Sequence, residues 1–399
     1  MTPRPRLSPS LARAAVLVAG ALALPALAPG AARAQGLLSM QGFGYPTGQL
    51  STRALGTAGA LGEFDPGSPL NPAALSYLFR PTIGVQFDPE QRELTAGDRR
   101  SRGVVPRFPV ITVGIPGWRG TRFAVSASTL LDRSFSATRP TTGTFEGVAV
   151  AGTENTSARG AISDVRGAVA VPVRRWLRVG VAGHLLVGDN RVTTTLRFAD
   201  SARLAPLADS VLVAWRGAAL SGGLELIPVR GVSVATSYRL GRALRAERRD
   251  TVVARGDVPD RLGLALRVDR ITGASIAVSW SRTYWSDMRT LGTAALRAQD
   301  GDELRAGVEA LGPKFNDVPT QLRIGVAQRE LPFGVAAGFP RERSVGGGVG
   351  VPLGGGRAVL DLALQRASRT LGGTALAGAP PVTARESAWL ASVGLTLRP

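Results

Sequence analysis

The stretch "RLGLALRV", residues 261–268, puts Leu262, Leu264, Leu266 and Val268 on one side of an extended chain. Arg261, Gly263, Ala265 and Arg267 fall on the other. A period of two marks a β-strand, because successive side chains leave opposite faces of the pleat. "ASIAVSWS" (274–281) repeats it, with Ile276, Val278 and Trp280 against Ser275, Ala277, Ser279 and Ser281. So does "QLRIGVAQ" (321–328), with Leu322, Ile324 and Val326 against Gln321, Arg323, Gly325 and Ala327. In "RAVLDLALQ" (357–365), Leu360, Leu362 and Leu364 oppose Asp361 and Gln365, and "WLASVGLTL" (389–397) follows the same rule. One face is large and apolar, the other small or polar.

Such a strand suits a soluble sandwich, whose apolar face packs inward, or an outer-membrane barrel, whose apolar face meets lipid. Three features favour the barrel. Links after even-numbered strands are tight, as in "PGWRG", "PVRG" and "LGG". Those after odd-numbered strands read as long polar loops: 89–106, 137–157, 190–209, 245–259, 286–302 and 369–386. Short turns on one side and long connections on the other belong to outer-membrane barrels. Most strands reach the roughly 9–11 residues that cross a bilayer when tilted. Trp118, Trp176, Tyr284, Trp285 and Trp389 fall near strand ends, where interfacial girdles lie. The predicted fold is all-β: an antiparallel transmembrane β-barrel of about 14 strands over residues 80–399.

The N-terminus points to export. Arg4, Arg6 and Arg13 precede the apolar run "AAVLVAGALALPALA" (14–28), and Ala32-Arg33-Ala34 offers a small-x-small cleavage site before Gln35. That order makes residues 1–34 a signal peptide, too short and too Pro-broken for a membrane helix. The absence of cysteine excludes a disulfide scaffold and any thiolate zinc site. The formal net charge of +19 rests on Arg scattered at turns and strand ends, with Lys314 the only lysine. Nucleic-acid binding needs that charge gathered on one face among aromatics, so no nucleic acid is expected. Outer-membrane lipid and lipopolysaccharide are the expected surroundings, with both chain ends periplasmic.

Between the leader and the first strand lies "ALGTAGALGEFDPGSPLNPAALSYL" (54–78). Asn71 before Pro72 and Ala73 opens a helix, Asn as cap and Pro at the first position. Leu61, Phe64, Leu70, Leu75, Tyr77 and Phe79 argue against disorder. A barrel of this size cannot fill its lumen with wall side chains alone. Residues 35–79 are therefore expected to form a short-helical hatch inside the lumen, with Gly56, Gly59, Asn71, Pro72 and Ala73 shaping it. The lumen-facing candidates are Arg178, His184, Arg239, Arg261, Arg267, Arg323 and Asp361, by strand alternation. Asp164, Glu303, Glu309 and Asp361 are available as ion-pair partners for the arginines.

The chain resembles the FadL/TodX-type outer-membrane transporters of long-chain fatty acids and other hydrophobic compounds. The resemblance starts at "GTAGA" (56–60) and "LNPAAL" (70–75), similar to that family's hatch signature. It continues through "WLRVGVAGHLLVGDNR" (176–191), "VPDRLGLALRV" (258–268) and "SIAVSWSRTYWSDM" (275–288). It closes with "VPTQLRIGVAQ" (318–328), "GGGVGVPLGGGRAVLDLALQ" (346–365) and "SVGLTLRP" (392–399). It implies a fourteen-stranded barrel, an N-terminal hatch and lateral delivery of an apolar ligand through a wall opening. The chain departs from such barrels in ending Leu397-Arg398-Pro399 instead of on an aromatic residue.

Catalysis is not expected. His184 is the only histidine and no G-x-S-x-G elbow is present. No carboxylate cluster stands at metal-ligand spacing, so neither metal nor cofactor is expected. The ranking is a hydrophobic-compound channel first, an accessory barrel with a secretion-system protein partner second, and a general porin third.

Overall fold

The computed structural model describes residues 44–96, 99–105, 107, 110–145, 148–199, 204–291, 297–315, 318–334, 340–374 and 382–399. The expected signal peptide, residues 1–34, and residues 35–43 of the expected hatch lie outside them. The wall is a closed antiparallel barrel of fourteen strands. β1 comprises Thr82–Phe87 and Glu90–Ala96, β2 Arg99–Val105 and Val110–Pro116, and β3 Arg122–Asp132 and Phe135–Phe145. β4 is Val148–Arg174, β5 Leu177–Phe198, β6 Leu207–Val229 and β7 Val232–Arg248. β8 comprises Thr251–Asp257 and Asp260–Ile271. β9 is Ala274–Tyr284, β10 Gly301–Phe315, β11 Val318–Glu330, β12 Arg341–Leu353, β13 Ala358–Thr374 and β14 Val382–Leu397. β14 closes on β1, with Ile83 opposite Leu397 and Ala384 opposite Ala96.

The alternation resolves as the sequence pattern requires. Ile83, Val113, Val125, Val181, Leu185, Leu264, Leu266, Val278, Ile324, Val326, Leu362 and Leu364 are exposed on the outer wall. Their neighbours Ala182, Ala265, Ala277, Ser279, Arg323 and Ala363 are buried inside. So broad an apolar belt is a liability in water and suits bilayer hydrocarbon. Trp118 and Trp176 stand exposed at the short-turn end, at 73% and 53%. Trp285, read as a girdle residue, instead turns inward at 6% exposure and packs edge-on against Phe333.

The long polar connections are largely strand. β4 alone runs 27 residues, about 90 Å at ~3.3 Å per residue, far more than a tilted crossing of a ~25 Å apolar band needs. The expected loops 89–106, 137–157 and 190–209 are mostly ladder, as Phe135–Phe145 pairs with Val148–Ala158 and Leu207 with Leu196. Above the lipid belt both faces are wet, so Thr, Ser, Gly and Ala occupy both sides. The apolar half of the alternation vanishes while the hydrogen-bonded ladder continues.

One seam of the closed wall is laddered along only part of its height. β2 pairs with β3 only through Val110–Pro116 and Arg122–Ser128. Beyond it, among the described residues, Arg99–Val105 pairs with β1 and Phe135–Phe145 with β4, and no ladder joins the two. The short strand Tyr45–Pro46 fills part of the gap, pairing with Asp132 and Leu131 of β3.

Candidate functional site

The segment from Gly44 to Tyr77 sits inside the barrel. Helix α1 (Thr52–Gly56) opens at Ser51, whose Oγ accepts from Ala54 N at 3.0 Å. A 3₁₀ turn covers Gly62–Phe64 and a second covers Pro72–Tyr77. Asn71 caps the second turn by accepting from Ala73 N at 2.9 Å, with Pro72 at the first position. Ala54, Ala60, Leu61, Phe64, Ala73 and Leu75 are buried.

The wall is cut to receive this segment. Gly180 and Gly223 face each other across β5 and β6. A Cβ on Gly180 would come within 2.5 Å of the Pro72 carbonyl carbon, and one on Gly223 would overlap Asn71 Oδ1. Two adjacent glycines thus form the notch that seats Asn71-Pro72-Ala73. The hatch's own glycines answer to the wall. A Cβ on Gly56 would meet Arg323, and Gly59, at φ +90°, lies against Arg305.

Ionic contacts fix the seat. Arg323 Nε donates to Glu309 Oε2 at 2.7 Å and its Nη1 to Asp361 Oδ1 at 2.5 Å. Arg53 of α1 reaches the same Glu309 at 2.6 Å. Arg261 donates to Glu63 of the hatch at 2.7 Å. Arg178 lies 3.0 Å from Glu225, and Arg267 donates to Tyr77 Oη at 2.7 Å. Tyr77 in turn donates to Glu225 at 2.5 Å; burial raises the Tyr77 hydroxyl pKa above its usual range, keeping it a neutral donor. Among the described residues Arg239 has no hydrogen-bonded carboxylate: it donates to the Pro259 carbonyl at 3.2 and 3.3 Å and to Gln49 at 3.2 Å. Glu303 serves Arg305, which the sequence reading had not named. Asp164 bonds to His184 instead of an arginine. The named inward residues thus divide among separate contacts around the hatch and do not meet in one site.

A second constellation had no sequence signal. The Tyr45 ring is surrounded by Arg92, Arg107, Arg329 and Arg369, their guanidinium carbons 4.3–5.1 Å from its centroid. Its hydroxyl donates to Glu342 at 2.8 Å and accepts from Arg369 at 2.6 Å and from Arg329. Glu90, Asp132, Glu342 and Glu386 interleave with the four cations. Four positive and four negative groups, from six strands and the link inside β2 that carries Arg107, balance, so the charge can be buried without the penalty of unpaired ions. Tyr45 is the hub that ties the seam-filling strand across the lumen.

Beyond this layer, toward the long hairpins, the interior is apolar. Leu130, Leu131, Ile162, Leu186, Trp215, Leu244, Trp285, Met288 and Phe333 form one buried cluster. Leu186 and Ala219 lie two residues beyond His184 and Ser221, so the cluster is the next layer above the hatch. The inward face was expected to be small or polar, and this level departs from that. The consecutive Leu185-Leu186 in β5, one outward and one inward, was the available signal. On the short-turn side a cavity of about 460 Å³ lies between Ser51–Arg53, Tyr77–Arg80 and the inner faces of β1, β2 and β14.

No protein-family profile matches the chain, and no curated protein sequence does. Solved structures do. A FadL homologue of Pseudomonas aeruginosa superposes with a TM-score of 0.61 over 89% of this chain and 99% of its own, at 14% identity. The toluene transporter TodX of Pseudomonas putida gives 0.55 over 82% and 92%, at 15% identity. The monoaromatic hydrocarbon channel CymD gives 0.54 over 92% and 99%, also at 15%. The fold is FadL-type. The likeness spans nearly the full length of these channels, so the FadL-type barrel and the described hatch account for almost the whole described chain.

Proposed function

We propose that this FadL-type barrel is an outer-membrane channel for hydrophobic compounds such as long-chain fatty acids, moved by passive diffusion past a hatch. The observation that carries the reading is the apolar cluster around Leu186, Trp215 and Trp285, stacked on the outer side of an ion-paired plug. A water-filled porin has no use for an apolar layer across its lumen, whereas an apolar solute needs one to leave water. The seam supplies an exit. The register Thr129–Ser163–Val187 sets its edge at a height where β5 still presents Leu185 and Val187 outward. Withdrawal of Tyr45–Pro46 would open the lumen sideways into lipid. In this reading the long hairpins face outside, and the short turns and both ends of the mature chain face the periplasm.

The test is native mass spectrometry of the detergent-solubilised barrel, with fatty acids and monoaromatic hydrocarbons as probes. Co-purifying or added apolar compound that is lost in a Trp215→Ala/Trp285→Ala variant supports the channel. A barrel that binds none of these probes favours the accessory reading, with a secretion-system protein as partner.

A further inference from the structure

His184 is the only histidine in the chain, and lining a channel does not account for what surrounds it. Its Nδ1 lies 2.9 and 3.0 Å from the two carboxylate oxygens of Asp164, and its Nε2 lies 2.8 Å from Ser221 Oγ. An ionised carboxylate only accepts, so Nδ1 carries the proton, Nε2 is the acceptor, and the Ser221 hydroxyl donates to it. That is the order of hydroxyl, base and orienting carboxylate on which acyl transfer relies. The three residues come from neighbouring strands. Asp164 pairs with Leu186 and Ser221 with Ala182, so each stands one diagonal step from His184, and the imidazole spans the interval. All three are buried, at 1%, 4% and 7% exposure for Asp164, His184 and Ser221.

The surroundings go beyond a packed hydrogen-bond chain. Arg239 stands directly opposite Ser221 in the β6–β7 ladder. Arg166, opposite His184, is 2% exposed, and its Nε and Nη2 have no hydrogen-bond partner among the described residues. Beside Ser221 and His184 is a cavity of about 10 Å³, the size of a single water site. Gln49, Pro69 and Leu70 of the hatch cover it. Gln49 Nε2 donates to Asp164 at 3.1 Å and its Oε1 accepts from Arg239 at 3.2 Å, so the cover is bonded to the constellation beneath it.

We propose that Ser221, His184 and Asp164 form a serine-hydrolase site inside the barrel, acting on carboxylic esters with apolar chains when the hatch is displaced. Ser221 Oγ bonds to the ester carbonyl carbon as its proton passes to His184 Nε2. The carbonyl electron pair moves onto oxygen, facing the guanidinium of Arg239. Collapse breaks the ester C–O bond, and the leaving oxygen takes the proton from Nε2 and departs as the alcohol. A solvent water then gives a proton to Nε2 and attacks the acyl carbon, and that proton returns to Ser221 Oγ as the free acid leaves. Ester and water become acid and alcohol, with nothing oxidised or reduced. Asp164 is a positioning residue. The inference goes beyond transport, and because its readouts are covalent labelling and hydrolysis, it can fail while the channel reading stands.

The experiment treats the purified full-length barrel in detergent with a fluorophosphonate probe and with 4-nitrophenyl octanoate. The expected result is a single adduct, mapped by peptide mass spectrometry to Ser221, with ester hydrolysis. Ser221→Ala abolishes both, His184→Gln slows both at least tenfold, and Leu70→Ala, which opens the cover, speeds labelling. Heat-modifiable migration on gels verifies the fold of each variant. Should Ser221→Ala not fold, Ser221→Cys replaces it: iodoacetamide should alkylate it at least tenfold faster than the same cysteine in a His184→Gln background. An adduct at another residue overturns the proposal. So does the absence of an adduct at Ser221 in both wild type and Leu70→Ala, or equal alkylation with and without His184.

Discussion

Gly180 and Gly223 leave a hole in the wall for the Asn71-Pro72 turn, and that contact is sharp enough to test alone. Gly180→Leu puts a side chain where the Pro72 backbone lies, while leucine is a better strand residue than glycine. The barrel should therefore fold and the hatch should lose its seat. Planar-bilayer conductance is expected to rise several-fold, with heat-modifiable gel migration unchanged; an unaltered conductance would show that the notch does not hold the plug. Arg323 makes the opposite kind of contact. Its buried guanidinium bridges Glu309 and Asp361, so Arg323→Met strands a buried Asp361 carboxylate. Breaking a buried pair from one side costs on the order of 3 kcal/mol. A lowered urea midpoint in detergent should appear, and adding Asp361→Asn should restore part of it. A midpoint equal to wild type would mean that the lumen is wet enough to solvate the stranded carboxylate.

Strands were legible where lipid imposes a demand and illegible where it does not. In 261–268 the outer residues must be large and apolar, so Leu262, Leu264 and Leu266 announce the strand. In 137–157 both faces meet water, and a β-ladder of Thr, Ser, Gly and Ala looks like a loop. The hatch was legible through Asn71-Pro72 because capping is local chemistry. The Tyr45 hub and the Asp164–His184–Ser221 chain were not, since strand register brings together residues 20 to 324 positions apart. For the hatch as an element, deletion of residues 35–79 should leave a foldable wall, because every β1–β14 pairing lies beyond it. The deletion removes Glu63 and Asp65 against a single described hatch arginine, Arg53, and leaves Arg261 without its carboxylate partner. Arg166, Arg239 and Arg305 also line this interior. The opened pore should thus prefer chloride to potassium, read as a shifted reversal potential in a KCl gradient. A deletion protein that folds yet conducts no better than wild type would show that the segment is not a plug.

Taken as one object, the barrel has two unlike ends, and the proposed direction in the membrane is argued from them. At one end turns of a few residues carry the exposed Trp118 and Trp176; at the other the hairpins of β3–β4 and β7–β8 run far past the apolar belt. Outer-membrane barrels have short turns on the periplasmic side and longer connections outside, so the channel reading puts the extended hairpins outside. The chain contains no cysteine, so each introduced thiol reports alone. Thr153→Cys and Thr251→Cys, on the long hairpins, should react with a membrane-impermeant maleimide on intact cells. Arg175→Cys and Arg230→Cys, exposed in the short turns, should react only after the outer membrane is opened. Exposed sites were chosen at both ends, so burial cannot mimic a difference of side. Reversed labelling would invert the barrel and put the apolar cluster on the periplasmic side of the hatch. Passage from outside would then meet the ion-paired plug first, and the order of apolar layer before plug on which the channel reading rests would be lost.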